Sequence, residues 1–350
     1  MKKYQIVEVK TKENHAGSKA RDDACLFAKE TGFEVVPIKC QGGFSKNPFS
    51  RIVRYVKPGI FWILAYFKIE KNSAVLLQHP FYDRQMGRTF ILNKLIKKKN
   101  CKIISLIHDA EFLRGGTWAN KSAISDFEFV KEKSHFIIVH NQRMFSKFKN
   151  IGIEESRLVS LEIFDYQNSA KVEEKDIGPD VVIAGNLAEN KAPYAYKLSG
   201  LGAKFGLYGP NFAGEESDNV KYYGSFPADT LPATLFGKFG LVWDGDQIET
   251  CAGETGNYLR YNNPHKTSLY IVSRIPIVIW DEAAMADFVK EKGIGITVSS
   301  LTELESAIAA ISDTKYQEMK KNIEKEALKL ESGYYLKEAL RVIIEEKLCL

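Results

Sequence analysis

Short apolar runs alternate with amphipathic stretches along almost the whole chain. In the first half, "YQIVEV", "FEVVPI", "SAVLLQHP", "CKIISLIHD" and "SHFIIVHN" read as buried strands. Between them, "SKARDDACLFAKETG", "RTFILNKLIKKKN" and "QRMFSKFKNIG" have helical spacing, the first closed by Gly32. The pattern lapses into the polar "FDYQNSAKVEEKDIGP" from Phe164 to Pro179 and then restarts. The second half reads "DVVIAG", a helix near "APYAYKLSG", "KFGLYG", "KYYGS", "FGLVWDG", a helix after "NNP", "IPIVIW" and "GIGITV", with strong helix formers from about Tyr316.

Strand–helix alternation of this kind predicts parallel sheets covered on both faces. The expected organisation is a Rossmann-like acceptor-side domain over 1–165, a linker over 166–179, a second Rossmann-like domain over 180–330, and a C-terminal helix over 331–350 that returns to the first domain. Two doubly wound halves leave a central cleft beyond the carboxyl ends of their strands, where ligands are expected.

A length of 350 residues fits two domains of ordinary size, and 45% hydrophobic with 27% charged residues is a globular composition. The net charge of +5 suits an anionic small molecule or an acidic membrane surface and is too diffuse to argue for nucleic acid. Cys25, Cys40, Cys101, Cys251 and Cys349 form no CxxC pair and read as reduced thiols. "MKKYQIVEVK" enters a strand directly, so no signal peptide is expected, and "IFWILAYF" falls short of the ~20 residues of a membrane span. The expected location is cytoplasmic, with the inner face of the membrane as a secondary site.

Candidate chemistry collects at strand-to-helix corners. In "NYLRYNNPHK", Pro264 suits a first helical turn and Asn262 or Asn263 a cap. A helix start bears unpaired N–H groups and partial positive charge, a seat for phosphate, and Lys266 adds a full charge that is locally unfavourable unless an anion binds. A capped helix with a solvated lysine is the plainer reading of the same letters. The preceding "GETGNYLRY" reads as a loop able to close over a ligand. "VVIAGNLAENKAPY" is a second corner, with Asn186 and a helix bearing Lys191; together the two lysines would clamp a diphosphate. "IHDAEFLR" puts His108, Asp109 and Glu111 at the carboxyl end of a first-domain strand, where a carboxylate or imidazole can serve as general base, or where Asp109 simply caps a turn. "NHAGSKARDD" reads as a loop in which Gly17 permits close approach and Ser18 caps the first helix.

Other signals carry less. "GLGAKFG" has the wrong spacing and context for a dinucleotide fingerprint, which weakens a nicotinamide dehydrogenase. "DGD" (Asp244 to Asp246) imitates a metal–diphosphate motif but is common by chance, and the six histidines show no metal spacing. No GxSxG is present. "FSRIVRYVKPGIFWILAYFK" (49–68) mixes aromatics with basic residues and suits a membrane surface, an oligomer face, or a half-buried helix with snorkelling cations.

"GLVWDGD", "NYLRYNNPHKTSLYIVSRIPIVIW", "IHDAEFLR" and "VVIAGNL" together resemble the bacterial β-1,6-galactofuranosyltransferase-like family, related to the glucosyltransferases that extend glycans on serine-rich-repeat adhesins. The resemblance runs through nearly the whole chain, and "YNNPHK" is its most specific block. It implies a GT-B fold, a UDP-sugar donor held mainly by the C-terminal domain, no required metal or other cofactor, inversion at the anomeric carbon, and a homo-oligomer, dimer or tetramer. Carried onto this sequence, Lys266 with the turn at Tyr261, Asn262, Asn263, Pro264 and His265 would hold the diphosphate. Asn186, Lys191 and Tyr208 would line the nucleotide pocket, and the Gly17–Ser18 loop would reach the donor. The adhesin-modifying members have a shorter loop before their PxK turn than "CAGETGNYLRYNN", so donor sugar and acceptor do not carry over.

The expected reaction is direct displacement: an acceptor hydroxyl of a glycan or glycoprotein, deprotonated by Asp109 or His108, attacks C1 of a UDP-hexose (glucose, galactose or galactofuranose). Lys266, Lys191 and the helix start would stabilise the departing UDP. The rivals are a UDP-sugar epimerase, which needs no acceptor, and a non-catalytic nucleotide-sugar-binding subunit of a glycosylation complex.

Overall fold

The computed structural model describes residues 1–10, 16–40, 47–81, 84–116, 119–173 and 178–348, and only the backbone of Lys10, Ala16, Gly17, Ser18, Pro48 and Phe49. It divides into two compact units. The first comprises Met1–Val139, Phe145–Leu161 and Leu336–Leu350; the second comprises His140–Met144 and Glu162–Tyr335.

Each unit is built on one six-stranded sheet. The first contains β1 (Lys3–Lys10), β2 (Glu34–Cys40), β3 (Ala74–His79), β4 (Lys102–Ile107), β5 (Phe136–Val139) and β6 (Leu158–Ser160), in the order β2-β1-β3-β4-β5-β6. Every pairing is parallel. The second contains β7 (Val181–Ala184), β8 (Phe205–Tyr208), β9 (Val220–Tyr222), β10 (Phe239–Val242), β11 (Ile277–Trp280) and β12 (Gly295–Val298), in the order β12-β11-β10-β7-β8-β9, again all parallel. In both sheets the strand order reverses direction once, at β1/β3 and at β7/β10. Right-handed crossovers then place connections on both faces, which makes both units doubly wound. Strands covered on both sides have no reason to alternate: β3, β5, β7, β8, β10 and β11 are buried at every position.

Several local expectations change. β6 carries only three residues, "LVS", too short to separate from its surroundings by pattern. The helix expected near "APYAYKLSG" is instead two 3-10 turns, Pro193–Tyr196 and Leu198–Gly200. Lys191 therefore lies exposed in a turn rather than on a helix, its N–H donating to the Ala188 carbonyl at 2.7 Å. "GETGNYLRY" is not an open loop: Gly253–Tyr258 is a short helix with Gly256 and Tyr258 buried. A Cβ on Gly256 would meet the Cys251 carbonyl carbon at 2.6 Å, so only glycine permits that packing. The predicted first helix spans Ala16–Glu30 and is followed by Gly32 at φ +89°. The C-terminal stretch is helical over Asp313–Glu331 and Tyr334–Arg341, with a π-helical turn at Val342–Lys347. Among the described residues no helix is long and apolar enough to cross a membrane.

The helix His265–Val272 is fixed to both switch-point strands of the second unit by one side chain. Tyr270 is fully buried, and its hydroxyl accepts the N–H of Ala184, the last residue of β7, at 2.9 Å. Its ring lies over Gly240 of β10, where a Cβ would come within 2.2 Å of the ring. Tyr270→Phe leaves a buried backbone N–H unpaired and is expected to cost about 1–3 kcal/mol. Urea unfolding with an unchanged m-value checks this; an unaltered midpoint would show that the bond contributes nothing to the fold.

Candidate active site

In a doubly wound sheet ligands sit at the carboxyl edge where strand order reverses. In the second unit that edge is formed by Gly185 and Asn186 after β7 and by Trp243 and Asp244 after β10. The Tyr270 anchor sets the height of its helix against this edge, and four residues earlier the half-buried Lys266 donates its Nζ to the Trp243 carbonyl at 3.0 Å. A lysine in a first turn opposes the helix dipole. Here its ammonium is bonded at the strand end instead. Pro264 is the residue before the helix (φ −61°, ψ 127°), with no N–H to satisfy.

The two asparagines expected as caps do different work. Asn263 is 4% exposed, and none of its side-chain bonds goes to the helix. Its Nδ2 donates to the carbonyls of His140 (2.6 Å) and Glu162 (3.0 Å), while its Oδ1 accepts Asn141 Nδ2 (2.7 Å). Its own N–H donates to His140 Nδ1 at 2.8 Å. Asn141 also donates to the Tyr261 carbonyl at 2.9 Å and accepts the N–H groups of Arg143 and Met144, both at 3.0 Å. Ser268 Oγ donates to the Phe164 carbonyl at 2.6 Å. Asn263 thus shapes the turn by tying it to segments 140–141 and 162–164 of the same unit. His265 stacks on Tyr166 with ring centroids 4.9 Å apart and 20° between planes. Asn262 Oδ1 and Thr267 Oγ1 are buried without a hydrogen-bond partner among the described residues. Buried polar atoms of this kind are costly, and two of them flank Lys266.

Other residues expected at the nucleotide site separate. Asn186 is exposed at the end of β7, its Oδ1 accepting the Ala188 N–H (3.1 Å) and Asn211 Nδ2 (3.0 Å). The strand ends approach closely here, since a Cβ on Gly209 would lie 1.7 Å from the Gly185 carbonyl oxygen. Tyr208, expected in the pocket lining, is 1% exposed in β8 and stacks on Tyr223 at 4.9 Å, with Phe226 and Phe236 around it. It is part of an aromatic core. Asp244 Oδ1 is turned back to the Gly245 N–H at 2.9 Å, and the Asp246 carbonyl accepts Lys197 Nζ at 2.7 Å. Among the described residues, no three His, Cys, Asp or Glu side chains converge.

In the first unit, His108 and Asp109 follow β4 directly. The His108 N–H donates to the His79 carbonyl at 2.7 Å, and its Nε2 lies 2.8 Å from Gln78 Oε1, which fixes the ring. Asp109 Oδ1 accepts Arg114 Nη2 at 2.8 Å. Glu111 opens the next helical turn; burial first, and then the Asp109 charge, raises its pKa above the ordinary carboxylate range. His79, at the end of β3, is held neutral: burial, then Arg21 and Arg88, lower its pKa to about 3. Gln78 and Asn141 were not singled out from sequence; Asn141 alone left a signal, an asparagine between an apolar run and a helix. Gly17 and Ser18, expected in a loop, fall in the first helix as backbone, and residues 11–15 of that loop lie outside the described residues.

Two six-stranded parallel α/β units with a cation at a switch-point helix start are the build of a GT-B glycosyltransferase. The N-terminal and C-terminal domain models described as glucosyltransferase 3-like match residues 3–163 and 181–343. The chain is 32% identical over 352 residues to the β-1,6-galactofuranosyltransferase WbbI of Escherichia coli K12, covering 98% of each. It is 23% identical to glucosyltransferase 3 of Streptococcus gordonii, covering 92% of each. Among solved structures, Anabaena Alr3699/HepE in complex with UDP-glucose matches with a TM-score of 0.60 at 9% identity, over 98% of this chain and 99% of that one, a likeness of fold. The chain belongs to the bacterial β-1,6-galactofuranosyltransferase-like family, related to glucosyltransferase 3, and it is a glycosyltransferase.

Asn263→Ala deletes three side-chain bonds and strands buried groups of His140 and Asn141, together with a carbonyl of the exposed Glu162. At about 1–3 kcal/mol for each buried group left unpaired, the expected loss is at least about 2 kcal/mol. Urea unfolding measures it, and a loss under about 1 kcal/mol would deny Asn263 its structural role.

Proposed function

We propose that this protein transfers a hexose (glucose, galactose or galactofuranose) from a UDP-sugar to a hydroxyl of a glycan or glycoprotein acceptor, with inversion. The observation that carries the reading is the Lys266 ammonium, 3.0 Å from the Trp243 carbonyl at the carboxyl edge of the switch point. One of its three donors is used there, and the others suit a diphosphate. The orphaned Asn262 Oδ1 and Thr267 Oγ1 beside it support a polar ligand at the same turn. A UDP-sugar is the donor chemistry named in the HepE complex, and hexosyl transfer is named in both curated relatives.

The leaving UDP gains negative charge as the C1–O bond breaks. Lys266 and the N–H groups of the helix start neutralise that charge without a metal or other cofactor, with Lys191 as the second cation. Asn186, Tyr261, Pro264 and His265 shape the donor seat, and the Gly17–Ser18 segment is assigned to the donor as well. The base is Asp109 or His108: the acceptor O–H proton passes to it as the oxygen attacks C1. Burial, and then the Asp109 charge, raise the pKa of the neighbouring Glu111. We assign the protein to the cytoplasm, as a homo-oligomer.

Lys266→Ala is expected to lower kcat about 10²–10³-fold with a smaller change in UDP affinity. Turnover of a radiolabelled UDP-sugar checks it, and an unchanged kcat rejects the role. Asp109→Asn and His108→Gln separate the two bases: the true one should cost about 10²–10⁴-fold in kcat. If Glu111 itself must be ionised for turnover, kcat/KM falls as pH drops, with a midpoint above that of an ordinary carboxylate. A thermal-shift panel of UDP, GDP, UDP-sugars and NAD ranks the donors, since the preferred ligand raises the melting temperature most; preference for NAD would overturn the reading.

A further inference from the structure

The helix Pro48–Lys68 of the first unit has two apolar faces where a surface helix needs one. One face is inside: Trp62, Ala65 and Ile69 just beyond its end are fully buried against the sheet. The other, Ile52, Val56, Ile60, Ile63 and Phe67 at steps of three and four, faces out, with Ile60 62% and Phe67 75% exposed. The helix Arg88–Lys99 extends that face with Phe90, 61% exposed. Lys94 joins the two helices, its Nζ 4.6 Å from the Phe90 ring centroid and 5.9 Å from that of Tyr66.

Neither helix contains an acidic residue, while together they carry Arg51, Arg54, Lys57, Lys68, Arg88, Lys94, Lys97, Lys98 and Lys99. Some are engaged locally: Lys68 with Glu34 at 2.8 Å, Arg88 with Asp126, and Lys99 with the Tyr66 and Ile69 carbonyls. Arg51, Lys57, Lys94, Lys97 and Lys98 are exposed around the apolar stripe. Apolar side chains bordered by lysines are the makeup of a helix lying in a lipid interface, with rings among the acyl chains and ammonium groups at the phosphates. A second copy of the same face would set acid-free cationic helices against each other, so charge complementarity favours an anionic partner.

We propose that this face docks the enzyme onto an anionic lipid bilayer, with Ile60, Ile63 and Phe67 entering the interface and Lys94, Lys97 and Lys98 meeting lipid phosphates. The inference is independent of the transferase reading, because its test needs no turnover. Full-length protein is sedimented with vesicles of phosphatidylcholine alone, or with about one third phosphatidylglycerol. The expected result is binding to the anionic vesicles, weakened by salt and weak on neutral ones. Lys94→Gln, Lys97→Gln and Lys98→Gln should each reduce the partition coefficient up to about fivefold, and Ile63→Asp with Phe67→Asp should abolish binding. Phe67→Ser alone serves as a milder variant, and an unchanged circular dichroism spectrum confirms folding of each. No binding by the unaltered protein, equal binding to both vesicle types, or full retention in the apolar variants would overturn the proposal. So would light scattering that finds the unaltered protein assembled and the Ile63→Asp, Phe67→Asp variant not, which would make this face a contact between copies.

Discussion

The seating of one tyrosine governs the geometry of the second unit's functional edge. Tyr270 fills the space that Gly240 leaves open on β10 and bonds the last N–H of β7, so the helix His265–Val272 cannot slide along either strand without losing a buried contact. A helix rises 1.5 Å per residue. A shift of even one residue would therefore move the Lys266 ammonium by about half its present distance to Trp243. Fixing the helix against both strands of the switch point holds the Lys266 ammonium in one place, which is the condition that stabilisation by fixed charge sets for the role proposed above.

Around that anchor the turn is held by polar bonds rather than by apolar packing. Asn263 collects two carbonyls and an amide from segments distant in sequence, and Ser268 adds a third carbonyl. Networks of this kind favour one arrangement, since alternatives strand buried groups. The same turn leaves Asn262 Oδ1 and Thr267 Oγ1 unpaired. The contrast between Asn263 and these neighbours divides the motif into a residue that builds the turn and residues whose buried polar atoms are left over.

The first unit concentrates its unusual features in two places. After β4, Gln78 holds the His108 ring and Arg114 pairs with Asp109, while burial and the Asp109 charge raise the pKa of Glu111. On the surface, the helices 48–68 and 88–99 leave large apolar side chains in water between cations. An apolar patch this continuous has a cost in solubility that a lone exposed leucine does not.

The sequence alone determined the parallel α/β architecture: strands buried on both faces must be written as unbroken apolar runs, as six of the described strands are, and of the twelve strands among the described residues only β6 left no pattern. It also placed the proline and lysine of the PxK turn and the His–Asp–Glu group after β4, since these are local facts. Partnership across distance was not legible. "VVIAGNLAENK" cannot reveal that no helix follows β7, and "KFGLYG" cannot reveal that Tyr208 will be enclosed by Tyr223 and Phe236. Tyr270 looks like any apolar position of a helix until β7, 86 residues away, offers it an N–H. Only the tertiary structure decided which asparagine builds and which is left unpaired, because hydrogen-bond satisfaction belongs to pairs of residues and the one-dimensional pattern records only single ones.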